Sequence, residues 1–109
     1  MSEKVHTLII GGGAAGIFAA IQLKALDPEV RVMVLEKQSQ LLSKVKVSGG
    51  GRCNVTHAVW TPKELVEYYP RGQKELLGPF HKFMTGDMMY WLSEREVPTK
   101  IEEDGRVFP

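Results

Sequence analysis

Cysteine is almost absent from this sequence: Cys53 is the only one among 109 residues. A single cysteine excludes an internal disulfide framework and a cluster of cysteines around a metal ion. The sequence therefore fits a protein of the reducing cytoplasm, and we predict no metal site.

An excess of one charge and long apolar runs are also lacking. Lysine and arginine together number 14 and the acidic residues 13, which leaves a formal net charge of +1. This balance gives no electrostatic reason to expect a nucleic acid or an anionic membrane as a partner. No apolar run approaches the roughly 20 residues that cross a bilayer. We therefore predict a cytoplasmic protein with a small-molecule substrate, and no nucleic-acid or membrane partner.

The most informative stretch extends to Glu36. An apolar segment at 5–10 precedes GGGAAG at 11–16, and a second apolar segment at 31–35 leads into Glu36. This order is typical of two parallel strands joined by a helix, with a glycine-rich turn after the first strand. We assign the chain to the α/β class, with a Rossmann-type parallel sheet and a first helix from Ala14 to Leu26.

The glycines of this turn meet the demands of binding a dinucleotide. Gly11 lets the chain turn sharply, Gly13 lets the backbone approach a pyrophosphate, and Gly16 lets the helix lie close to the sheet. The N-terminus of the helix offers unpaired N–H groups and the positive end of its dipole. Glu36 follows Gly16 by about 20 positions, the spacing of an acid that accepts hydrogen bonds from a ribose. This motif alone serves NAD(P) as well as FAD.

A second glycine motif, VSGGGRCNVT, occupies residues 47–56. Its glycines free the backbone to form a concave row of N–H groups, and Arg52 adds a fixed positive charge with a planar donor fork. The motif is not a P-loop, which would end in Gly-Lys followed by Ser or Thr. From the residues alone it is either a flexible turn with a solvated arginine or a second cofactor contact.

Both glycine motifs, together with GRVFP at 105–109, resemble the HI0933-like or aminoacetone-oxidase-type family of FAD-binding flavoproteins. The resemblance runs along the whole chain in colinear order, and the string SGGGRCN is unusual outside that family. It implies a longer FAD-dependent oxidoreductase with a two-dinucleotide-binding-domain architecture and an inserted second domain. Residues 1–109 would then be the N-terminal part of the FAD-binding domain.

The resemblance also implies roles for individual residues. The first glycines would contact the pyrophosphate and Glu36 the adenosine ribose, while Lys44 and the loop at 49–54 would lie along the cofactor near the flavin. This chain has His57 where the family usually has asparagine. The predicted cofactor-binding residues are Gly11, Gly13, Ala14, Ala15, Gly16, Glu36, Lys37, Lys44, Ser48, Gly49, Gly50, Gly51, Arg52, Cys53 and Asn54.

Short helices and a small β-hairpin are predicted after residue 60. Thr61-Pro62 begins a helix that stops before Pro70, and further helical pieces are broken by Gly78-Pro79. Thr85 is predicted to cap a helix that ends near Glu96. A strand over 97–101 and a two-residue turn at Asp104-Gly105 predict the hairpin, which returns through 106–108.

No catalytic acid or base stands out. Cys53 lacks a CxxC partner and is better interpreted as a structural thiol. His57 is either an ordinary loop histidine or a contact to flavin or substrate. In flavoenzymes the isoalloxazine ring carries the electron chemistry. The leading hypothesis is the FAD-binding part of an oxidoreductase; the alternatives are an NAD(P)-dependent dehydrogenase and a truncated, non-catalytic nucleotide-binding module.

Overall fold

The computed structural model describes residues 4–109. The chain divides into two compact units, one that reaches to Gly51 and one from Arg52 to Pro109. The first unit contains the predicted strand–helix–strand order: β1 (Thr7–Ile10), α1 (Ala14–Leu26) and β2 (Val32–Leu35). The strands are parallel, in a register that pairs Thr7 with Val32 and Ile10 with Leu35. The Rossmann-type βαβ unit is confirmed.

Helix α1 has the predicted bounds because its C-terminus is defined locally. Asp27 precedes Pro28 and has extended backbone angles, with φ −144° and ψ 102°. A residue before proline avoids the helical region. Lys24, in the last turn, donates from Nζ to the carbonyls of Pro28 and Val30, as basic side chains near a helix C-terminus commonly do.

Helix α2 (Ser43–Gly51) completes the first unit and was not predicted. Its first turns are ordinary, but the helical geometry breaks at Ser48, where ψ is 150°. Gly49 and Gly50 follow with φ values of 57° and 70°, in the left-handed region that favours glycine. The second glycine motif therefore begins as the end of a helix.

The second unit combines short helices with a three-stranded antiparallel sheet. Its elements are β3 (Thr56–His57), α3 (Pro62–Leu65), a 3-10 turn (Val66–Tyr68), α4 (Gln73–Phe80), α5 (Thr85–Ser93), β4 (Lys100–Ile101) and β5 (Arg106–Phe108). The strand order is β3-β5-β4, and α5 packs against strand β3. Val107 in β5 is fully buried. The other buried side chains of this unit are Leu65, Val66, Leu92, Phe108 and the polar Thr85.

The predicted helix start at Thr61 is confirmed. Its Oγ accepts the N–H of Glu64 at 3.3 Å and donates to the Glu64 carboxylate at 2.7 Å, and Pro62 fills the first helical position. The helix is shorter than predicted, because it tightens into a 3-10 turn at Val66.

Two helix predictions need correction. Helix α4 runs through Gly78 and contains Pro79, which lies one residue before its end and so removes a single intrahelical hydrogen bond. Thr85 is not the cap of α5 but its first residue. The cap position is Met84, whose N–H donates to the Asp87 carboxylate at 2.9 Å.

The hairpin also differs in detail from the prediction. Its first strand covers only Lys100–Ile101, since Pro98 has no N–H and the N–H of Val97 bonds back to Leu92 O at the end of α5. The turn is longer than two residues: Glu102 N–H bonds to Arg106 O, and Gly105 N–H bonds to Glu102 O. With Gly105 at φ 85°, this is a three-residue loop with a glycine bulge.

Candidate functional site

Gly11 and Gly16 are glycines because the fold requires them. Gly11 has φ 102°, a value that side-chain-bearing residues rarely adopt, and its N–H donates to Leu35 O at 2.7 Å. A Cβ on Gly16 would overlap the carbonyl oxygen of Gly11 and press on the Ile9 side chain. The turn out of β1 and the close approach of α1 are therefore both present, as the sequence predicted.

Gly13 is different, because neither its backbone nor its neighbours require a glycine. It has φ −86° as the N-cap of α1, and a Cβ placed on it would meet nothing within 4 Å. No side chain caps the helix, and its first turn contains no acidic residue. The first N–H groups of a helix have no intrahelical acceptors. Gly13 thus leaves open space at a helix end suited to an anion.

Glu36 is bound to the same turn. Its carboxylate accepts the N–H of Gly12 at 2.7 Å on Oε2 and the N–H of Gln38 at 2.8 Å on Oε1. The hydrogen bonds from Gln38 and then Gly12 lower the pKa of Glu36 below its ordinary value, so the group is an anion at neutral pH. A Cβ on Gly12 would press on Glu36 and on the end of Leu41, so close packing explains why residue 12 is a glycine.

A cleft of about 430 Å³ opens beside this turn, entirely within the first unit. Four of the predicted binding residues line it: Gly13, Ala14, Glu36 and Lys44. Gly11, Ala15, Gly16 and Lys37 are not among its lining residues. The structure thus brings together the helix end, the acid and one lysine, the groups that suit phosphate and ribose.

Several lining residues were missed by the sequence analysis. They are Gly12, Gln38, Leu42, Ser43 and Val45. Leu42 has a left-handed φ of 56°, and its N–H donates to Gly12 O at 2.8 Å, which places the start of α2 beside the first glycine turn. The sequence could not predict this contact, because no feature of the polar segment at 38–46 indicates that one of its leucines adopts a left-handed backbone conformation.

The second glycine motif spans the division between the units, with Ser48–Gly51 in the first and Arg52–Asn54 in the second. Gly51 continues the left-handed run with φ 87°, and Cys53 is also left-handed at 62°. The Ser48 hydroxyl donates to Val45 O at 2.8 Å and so caps the preceding helical turns. The chain thus leaves α2 through a run of left-handed residues.

Arg52 and Asn54 make contacts inside the second unit. The Arg52 guanidinium lies over the Phe108 ring, with Cζ 4.1 Å from its centroid, and Nη1 is 3.4 Å from Glu102 Oε1. When the Asn54 amide is assigned so that its nitrogen, and not its oxygen, faces two carbonyls, it donates to Thr56 O at 2.8 Å and Val107 O at 3.2 Å. Both side chains hold the motif to β5, a structural role that the sequence analysis did not predict.

Among residues 4–109, no three histidine, cysteine, aspartate or glutamate side chains are grouped as metal ligands would be. No helix within the same residues combines the length and apolar character needed to span a bilayer.

The sequence of this chain is similar to the sequences of several known proteins. A ribosomal RNA dihydrouridine synthase from Haemophilus influenzae is 32% identical over 108 residues, which are 99% of this chain and 26% of that protein. An electron transfer flavoprotein-ubiquinone oxidoreductase from Pseudomonas aeruginosa is 36% identical over 98 residues, 86% of this chain and 16% of that protein. A 3-dehydro-bile acid delta(4,6)-reductase from Clostridium scindens is 45% identical over 49 residues, 45% of this chain and 12% of that protein. The chain thus spans about a quarter or less of the relatives that it matches.

A family profile covers nearly the whole chain. The HI0933-like protein Rossmann domain matches residues 5–109. This range contains the strand, the glycine turn, α1, Glu36 and the second glycine motif, in agreement with the resemblance that those motifs carry. The chain therefore belongs to the HI0933-like family, as part of its Rossmann domain.

Proposed function

We propose that this chain is the FAD-binding part of a flavin-dependent oxidoreductase. The observation that carries the proposal is Gly13, which no strain or packing in the fold requires and which leaves space at the uncapped N-terminus of α1. A pyrophosphate explains this space, because it needs both close backbone approach and unpaired N–H groups. Family membership supports the same reading, and two of the relatives are named as a reductase and an oxidoreductase.

The lining of the cleft fits the adenosine diphosphate part of FAD. The N–H groups at Gly13 and Ala14 would hold the pyrophosphate, and Lys44 would add a positive charge on the same cleft. Glu36 would accept the ribose hydroxyls. Its carboxylate already accepts two backbone N–H groups and, with about four lone-pair positions, retains capacity for more.

The second glycine motif is proposed to lie along the flavin end of the cofactor. The left-handed backbone from Gly49 to Gly51 exposes peptide groups without side chains, which suits close approach to a planar ring. When bound, FAD supplies the electron transfer, and the protein supplies position and electrostatics.

Two alternatives remain open. A nicotinamide dinucleotide would use the same first motif, and a non-catalytic nucleotide-binding module would use it without chemistry.

A more specific candidate reaction for the oxidoreductase is the formation of dihydrouridine in ribosomal RNA. It is favoured by the Haemophilus protein named for that reaction, which aligns with 99% of this chain. Our expectation that this chain itself contacts no nucleic acid stays a prediction from its net charge of +1.

Mapping ADP on the chain by NMR tests the proposal. ADP should shift the backbone amide signals of Gly13, Ala14 and Glu36, and the Gly13→Val variant should lose this response because the side chain fills the phosphate space. Gly86→Val is the matched control, since a Cβ there also meets nothing within 4 Å. Equal ADP binding by both variants would contradict the assignment. Turnover with an artificial electron acceptor, in a longer protein that contains this chain, separates an enzyme from an inert binder.

A further inference from the structure

Leu42 has a backbone conformation that is strained for a residue with a side chain. Its φ is 56°, and among residues 4–109 only Leu42, Cys53 and Glu96 combine a side chain with a positive φ. In this region the Cβ comes too close to the following carbonyl oxygen. Such strain persists only where the surrounding structure imposes it, and it concentrates at binding sites and active sites. Leu42 is therefore a residue whose side chain needs an explanation.

The backbone at position 42 does not require a leucine. The Leu42 N–H donates to Gly12 O at 2.8 Å, and its carbonyl accepts the N–H of Lys46 at 3.0 Å where α2 begins. Both hydrogen bonds involve main-chain atoms alone, so a glycine could form them without the strain. The turn explains the left-handed angle at position 42, but it does not explain the leucine side chain.

The side chain of Leu42 lines the cleft beside the first glycine turn. Leu42 and Val45 are the two large apolar side chains in the lining of this cleft, which otherwise consists of polar residues, glycines and Ala14. Leu42 is half-buried, and no hydrophobic side chain is buried among the described residues of the first unit. The leucine is thus a wall of the cleft and not part of a core.

We propose that Leu42 makes the cleft select a ligand that carries a nucleoside over a bare phosphate anion. The inference rests on the proposed function, which gives the N–H groups at Gly13 to the phosphates and Glu36 to the ribose. A hydrocarbon side chain has no donor for a phosphate oxygen. It can only add apolar contact, which the uncharged part of a nucleoside offers and a phosphate does not. Leu42 is therefore a specificity-determining residue of the cleft.

The ratio of two affinities tests this role. The 109-residue chain is titrated with ADP and with inorganic pyrophosphate, and the amide signals of Gly13 and Ala14 are followed by NMR. Leu42→Gly should weaken ADP binding roughly tenfold, the effect of losing part of a leucine contact, and change pyrophosphate binding by less than about twofold. Equal losses for both ligands would show that Leu42 acts through the shape of the turn. An unchanged ADP affinity would show that its side chain does not contact the ligand, and either result overturns the inference.

Two further variants separate the side chain from the strain. Glu96→Gly relieves a left-handed φ of 59° at a residue of the second unit that does not line this cleft, and it should change neither affinity. Leu42→Met keeps an apolar side chain of similar volume and should bind ADP within about twofold of the parent. A change in Glu96→Gly, or a loss in Leu42→Met as large as in Leu42→Gly, would overturn the inference. An absent Gly13 response to both ligands in the parent would instead contradict the proposed function itself, so the two failures are distinguishable.

Discussion

The two units differ in how they use apolar residues. The second unit buries Leu65, Leu92, Val107 and Phe108, whereas no hydrophobic side chain is buried among the described residues of the first unit. The first unit instead exposes the ends of its elements: Ile10 is 76% exposed and Leu26 84%. The unit with the cleft at Gly13 and Glu36 thus has no buried hydrophobic core among its described residues, and the unit with a core holds the cleft lined by His57, Tyr68 and Tyr69.

This difference shows that ligand geometry and stability have separate origins in the chain. The glycine turn is held by local constraints, namely a left-handed Gly11, the close packing at Gly16 and the Glu36 hydrogen bonds. None of these contacts involves a buried hydrophobic side chain among the described residues of the first unit. A buried core would hold them against thermal motion, because burial of apolar surface is the main favourable term in folding.

The largest expected effect concerns the affinity of the chain for FAD. We expect the 109-residue chain alone to bind FAD more weakly than about 1 μM, because a two-stranded sheet without buried side chains holds its cleft poorly and leaves strand edges unpaired. Isothermal titration with FAD measures this. A tight one-to-one complex would show that the first unit is a self-sufficient binding domain.

Leucine replacements compare the units directly. Leu92→Ala in α5 should cost about 3 kcal/mol of unfolding free energy, as for a buried leucine. The same change at Leu26, the last residue of α1, should cost less than about 0.5 kcal/mol because that side chain is exposed. Urea unfolding monitored by amide signals of each unit gives both values. Equal costs would remove the distinction between the units.

Glycine replacements separate fold from binding within the first unit. Gly16→Ala should destabilise it by about 1–3 kcal/mol, since the new Cβ overlaps the Gly11 carbonyl and moving backbone is costly. Gly13→Ala should cost less than about 1 kcal/mol, because its Cβ meets nothing. Amide exchange in α1 measures the two. A large loss from Gly13→Ala would assign that glycine to the fold and weaken the case for a phosphate.

Sequence reasoning succeeded where a single local constraint determines the structure. The bounds of α1 follow from Gly13 and from Asp27-Pro28, and the parallel pairing of β1 with β2 follows from the βαβ pattern. The cap at Thr61 is equally local. Each of these depends on residues that are close in sequence, so the pattern contains the required information.

Sequence reasoning failed where the contact partner of a residue is distant in the sequence or where its backbone conformation is unusual. Helix α2 depends on Leu42 adopting a left-handed conformation against Gly12, and β3 exists because Thr56 and His57 pair with β5 about 50 residues later. The contact of Arg52 with Phe108 also joins remote positions. Such contacts leave no periodic signal, which is why the grouping of His57 with Tyr68 and Tyr69 around one cleft was not predicted.

The smallest expected effect is the dependence of the glycine turn on pH through Glu36. Its pKa is lowered from the ordinary 4.5 in the folded chain by hydrogen bonds from Gln38 and Gly12. The ionised group therefore stabilises the turn fully above that ordinary value, and the contribution is lost as the pH falls through the lower folded pKa. We expect the Gly12 amide signal to titrate in that acidic range.

Glu36→Gln tests this assignment and its link to the ligand. The variant should abolish the titration at Gly12 and weaken ADP binding by roughly tenfold, because an amide cannot replace a charged acceptor for a ribose hydroxyl. Glu29→Gln makes the same charge change at an exposed position of the same unit and should alter neither signal. If Glu36→Gln binds ADP as well as the parent while the Gly12 titration disappears, Glu36 supports the turn and does not touch the ribose. The first unit would then rely on the helix N-terminus and Lys44 alone for its affinity.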